Sequence, residues 1–169
     1  MTPSGPSVEG AQLSALATQF MNALQARSNH EEDRAEELLR GIVKTEPRLA
    51  EPHMELARVL LDSDRLAESE GHARAALEHL EDTGPWTEEV PENVLRALAH
   101  GLLAEVLRRI ADEDDVIFGD PERFKALVSE SQHHFKAAAA LDPSDEYASY
   151  YAFFMGPNSE NGPEDGPGS

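Results

Sequence analysis

Residues 50–82 read AEPHMELARVLLDSDRLAESEGHARAALEHLED, a spacing that fits two short helices folded back on each other. Leu56, Ala57, Leu60 and Leu61 recur at the helical interval. Pro52 suits an opening turn, where its missing N–H has no partner to lose. Asp62, Ser63 and Asp64 interrupt the pattern and offer a cap. Leu66, Ser69, Ala73, Ala76, Leu77 and Leu80 then line one face of a second helix. The small residues are the informative ones. Ala57, Ser69, Ala73 and Ala76 put little side chain between the two backbones, so the helices can approach closely.

This pattern resembles a tetratricopeptide repeat, whose helix–turn–helix unit spans 34 residues. With Ala50 as the first position, Leu56 and Ala57 fall on the Leu–Ala pair of the first helix and Leu60 on its next packing position. Ser69, Ala73, Ala76 and Leu77 fall on the second-helix series. His53 stands where an aromatic is expected, and Glu81 where the closing proline should be. Counting back one unit without a gap begins a repeat at Leu16 and places its closing proline on Pro47. Ala23 takes the small position of that unit, and Ala35, Leu39 and Ile42 its second-helix positions, although Asn22 replaces the usual leucine.

The remaining chain extends the array. A stripe of Leu13, Leu16, Phe20, Ala23 and Leu24 predicts a helix from Ala11, and Ser28 with Glu31 has capping-box spacing before the next. Thr83-Gly84-Pro85-Trp86 is a turn signal, with the lone tryptophan expected over the junction. A helix from about Pro91 to Ala111 carries apolar residues around more than one face, as an interior helix should. Within it Leu103, Ala104 and Leu107 match the first-helix series, and His100 repeats the position of His53. An acidic loop, DEDDVIFGDPE, leads to Asp120 and Pro121 as an N-cap and first-turn pair. The following helix, to about Leu141, ends with Phe135, Ala138, Ala139 and Pro143 in repeat positions.

The expected organisation is therefore all-α, a superhelical stack of antiparallel helix hairpins with about seven helices. Repeats are placed at 16–49, 50–83 and 91–143, with an insertion at 112–126 and an aromatic capping helix at 145–154. Together they make a domain over 11–155, between a disordered Pro/Ser/Gly-rich stretch at 1–10 and a disordered acidic tail at 156–169.

Charge and composition narrow the function. Lys+Arg 14 against Asp+Glu 33 gives a net charge of −19, which argues against a nucleic-acid partner held through phosphates. No apolar run approaches the ~20 residues that span a bilayer, and the N-terminus lacks a secretory pattern, so a cytoplasmic protein without membrane insertion is expected. Arginine outnumbers lysine, a bias common in GC-rich bacteria. Cysteine is absent, which excludes thiolate metal sites and cysteine nucleophiles.

Seven histidines raise the alternative of a metal protein or enzyme. The run His30-Glu31-Glu32-Asp33-Arg34 lacks the second histidine of a zinc-hydrolase helix. Glu68 with His72, and Glu130 with His134, share a helix face, but two ligands do not complete a site. The acidic loop has Ile117 and Arg123 where a calcium loop needs glycine and glutamate. No catalytic residue, metal or cofactor is expected.

The resemblance implies that first helices line a concave groove for a partner peptide or helix. Carried over, that groove comprises Ala17, Phe20, Leu24 and Arg27; Glu51, Met54, Arg58 and Leu61; and Leu98, Gly101, Glu105, Arg108 and Arg109. The four arginines either bind a carboxylate-bearing ligand or pair with nearby acids. The clamp used by chaperone-binding members is not matched, since Phe20, Leu24, Glu55, Leu98 and Leu102 occupy its positions. Ile117 and Phe118, with Tyr150, Tyr151 and Phe154, form a candidate second interface, for a partner or another copy of the chain. The expected function is non-catalytic protein–protein binding as an adaptor or scaffold. A small three-repeat secretion chaperone is the alternative within the binding class.

Overall fold

The computed structural model describes residues 8–144, and every described helix is α. Their order is α1 (Val8–Ser28), α2 (Glu32–Thr45), α3 (Ala50–Asp62), α4 (Leu66–Asp82), α5 (Glu92–Ala111), α6 (Asp114–Ile117) and α7 (Pro121–Leu141). α1 packs on α2, α3 on α4, and α5 on α7; successive pairs meet through α2 with α3 and α4 with α5. Seven helices match the expected number, but differently composed. One is the short α6 inside the acidic loop, and the aromatic segment 145–154 lies outside the described residues.

The 34-residue register is visible in the backbone. His30 and Asp64 both take a left-handed conformation, with φ of 61° and 62°, which those residue types tolerate better than most. Glu31 N donates to Ala26 O at 2.8 Å, and Arg65 N donates to Leu60 O at 2.9 Å. Each of these atoms has its counterpart 34 residues away. The turns close through backbone bonds, so the anticipated side-chain caps do not form. Ser28 and Glu31 make no capping box, and α4 begins after Arg65 without a side-chain cap from Asp62, Ser63 or Asp64. Asp120 does cap α7, accepting from Arg123 N at 3.1 Å, with Pro121 in the first turn.

α3 is the interior helix of the stack. Leu56, Val59 and Leu60 face a core with Leu16, Phe20, Ala23, Leu39 and Ile42. Met54, Ala57 and Leu61 face a second core with Ala73, Ala76, Leu80, Leu95, Leu103 and Leu107. α5 is likewise covered twice, since Ala97 and Ala104 meet Phe135 and Ala138 of α7.

The close approach anticipated from small residues is sealed by buried hydroxyls. Ser69 Oγ donates to Ala57 O and Ser131 Oγ to Ala104 O, both at 2.7 Å. The loop after α5 is ordered as α6, where Val116 is buried. A Cβ on Gly119 would stand 2.5 Å from Asp115 O, so that turn requires glycine.

Histidines pair at equivalent places in the last two hairpins. His53 Nδ1 lies 2.9 Å from His72 Nδ1, and His100 Nδ1 lies 2.9 Å from His134 Nδ1. His53 Nε2 donates to Pro47 O at 2.7 Å, so in the neutral pair His72 supplies the shared proton. His134 Nε2 lies 3.4 Å from Glu130, and His100 supplies the proton there. Burial lowers the pKa of all four, opposed by Pro47 O at His53, by Glu68 at His72 and by Glu130 at His134. Neighbouring His79, Arg40, His133, Arg96 and Arg74 add to the lowering, and His100 falls to about 4.

A folded pKa below 6.5 means that the unfolded chain binds more protons as pH falls through 6.5, so stability drops there. Carboxylates held low, such as Glu130, withdraw stability only below their ordinary 4.5. Between pH 6.5 and 4.5, urea unfolding should therefore show the wild type losing stability relative to a His53→Gln/His100→Gln variant. Parallel pH profiles for the two proteins would refute the buried pairs.

Candidate functional site

A cavity of about 370 Å³ opens between α1, α3 and α5, beside the segment that joins α4 to α5. Ala17, Phe20, Met21 and Leu24 come from α1; Glu51, Met54, Glu55 and Arg58 from α3; Leu95 and Leu98 from α5; and Thr87, Glu89 and Val90 from the connecting segment. Its walls are mainly apolar. Met21 and Leu98, on α1 and α5, are two of the few large apolar side chains left exposed among the described residues, at 57% and 37%.

Glu51 builds one wall. It is 5% exposed, and its carboxylate accepts from Trp86 N at 2.9 Å, Thr87 N at 2.6 Å and Thr87 Oγ1 at 2.9 Å. These bonds fasten the connecting segment to the start of α3. Trp86 then packs on Phe20 with ring centroids 5.6 Å apart, over the junction where the turn signal placed it. The segment thus becomes part of the cavity.

Of the expected groove residues, Phe20, Leu24, Met54, Arg58 and Leu98 gather here, with Ala17 and Glu51. Leu61 does not; it is buried among α3, α4 and α5. Arg27 lies at the inter-hairpin seam, 2.6 Å from Glu55 and 3.5 Å from Asp62. Arg58 reaches the same Glu55 at 4.0 Å. Arg109 pairs with Asp64 at 2.9 Å, and Glu105, Arg108 and Arg109 do not line the cavity.

The arginine pairing follows a wider pattern. Glu36 of α2 accepts from Arg65 and Arg40, and Arg40 also binds Glu68 of α4. The hydrogen bond from Arg65 is the main reason the Glu36 carboxyl is held down to about 2. Arg74 of α4 forks onto Glu130 of α7 with bonds of 2.6 and 2.8 Å. Guanidinium groups therefore join successive hairpins.

Of the candidate second interface, Ile117 at the end of α6 is exposed and Phe118, just past it, is 81% exposed, while Tyr150, Tyr151 and Phe154 lie outside the described residues. Among the described residues no group of three or more histidine or carboxylate side chains is arranged to hold a metal ion, and no helix is long and apolar enough to cross a membrane.

Sequence reasoning missed Met21, Thr87, Glu89, Val90 and Leu95, and met Glu55 only as an unmatched clamp position. Met21 follows Phe20 but lies off the helical stripe, and Glu89 and Val90 sit in a segment without periodicity. Glu51 was placed in the groove, but its hold on the connecting segment had no sequence signature.

Because Glu51 accepts three hydrogen bonds at a buried position, Glu51→Gln should lower stability by about 2 kcal/mol and free the segment. Trp86 emission should shift to the red and quench more readily with acrylamide. Unchanged emission and quenching would contradict the fastening role. Comparison with protein families and with curated proteins finds no match to either, which leaves the residues and their geometry as the basis for function.

Proposed function

We propose that this chain is a tetratricopeptide-type, non-catalytic protein–protein interaction module, acting in the cytoplasm as an adaptor or scaffold. The observation that carries this reading is the solvent-open apolar cavity on the first-helix side of three hairpins, with Met21 and Leu98 exposed at it. Methionines at the wall suit a surface that adapts to an apolar segment. The gapless register of the first two hairpins and the repeated Ser–carbonyl contacts support the repeat assignment.

Affinity purification of the tagged chain from cells of its source tests the site. Leu98→Glu places a charge at the apolar wall and should reduce partner recovery about tenfold or more. Phe118→Ser alters the separate exposed patch and should leave recovery unchanged. Equal recovery by wild type and Leu98→Glu would remove the cavity from the binding function, and loss with Phe118→Ser would assign the binding to α6.

A further inference from the structure

The charges around the cavity identify the partner's chemistry, given that the cavity is a docking site as proposed above. Three carboxylates, Glu51, Glu55 and Glu89, line the cavity against one arginine, Arg58, which stands 4.0 Å from Glu55 with its buried Nε unbonded; Arg27 pairs with the same Glu55 at 2.6 Å. Glu51, although hydrogen-bonded, has no cation within ion-pair distance among the described residues, and it sits 95% buried in the cavity wall. A cation that reaches such a carboxylate is selected over an anion, although the cost of desolvating it offsets much of the attraction. Glu89 lines the same cavity from the connecting segment and is exposed, next to exposed Glu88. The chain's charge of −19 steers the same kind of partner.

We infer that the cavity receives an amphipathic peptide segment of a partner, with apolar side chains against Phe20, Met54 and Leu98 and a lysine or arginine directed at Glu51 and Glu89. Apolar contact supplies the larger share of affinity, and the cation sets which amphipathic segment is accepted. A second copy of this acidic chain fits poorly. Its exposed Phe118 stands beside Asp114, Asp115 and Asp120, which would face Glu89.

Two synthetic helical peptides with one leucine face, one carrying lysines and the other glutamates on the polar face, test this inference. Binding to the full chain is followed through Trp86, the only tryptophan, which touches Phe20 at the cavity. The lysine peptide should bind at least about tenfold more tightly. Glu89→Lys should remove most of that preference. Glu122→Lys, with the same charge change at an exposed site on α7, should preserve it. Equal binding of the two peptides, or equal loss of preference in both variants, would overturn the cationic partner while leaving the docking site intact. No Trp86 response to either peptide would overturn the docking site as well.

Discussion

Close contact between paired helices is the condition on which the rest of this structure depends. Ala57 and Ala104 leave their carbonyls within reach of Ser69 and Ser131, whose hydroxyls donate to them at 2.7 Å. A serine buried at such a seam would be a liability without that acceptor. With it, the backbones come near enough for Ala73, Ala76 and Ala138 to fill the space between them. Larger residues would push the hairpins open and displace α3 from its two cores.

Once the hairpins are narrow, stacking them leaves two kinds of surface. Along the second helices, α2, α4 and α7 are joined by arginine–carboxylate contacts, Arg65 with Glu36, Arg40 with Glu68 and Arg74 with Glu130. These pairs are partly exposed, so each contributes modestly, but their forked geometry favours one arrangement of neighbours. Along the first helices, α1, α3 and α5 diverge enough to leave the cavity, and the connecting segment folds in beside it. Glu51 holds that segment with hydrogen bonds to backbone and hydroxyl donors rather than with a cation.

Local periodicity made most of the architecture legible. The helix-forming stripes, the 34-residue spacing of the first two turns and the small seam residues could all be read from residue types. The side-chain caps could not, because left-handed His30 and Asp64 let backbone donors close those turns. The fate of the groove arginines was also hidden. Arg27 meets Glu55 across the seam between hairpins, and Arg109 of α5 meets Asp64 in the turn between α3 and α4. Such pairings depend on how the hairpins pack, which no stripe within one helix encodes. The histidine pairs were partly visible, since His53 and His100 share a repeat position, but their partners His72 and His134 became apparent only in the folded seam.

The central claim is that the α1–α3–α5 cavity is where this chain binds. Methionine-methyl NMR observes it directly, because Met54 is buried at its wall and Met21 is exposed at it. On titration with a lysine-bearing amphipathic peptide, the Met21 and Met54 methyl resonances should shift together and saturate with one common affinity. Saturated binding that leaves both resonances unmoved would contradict the account.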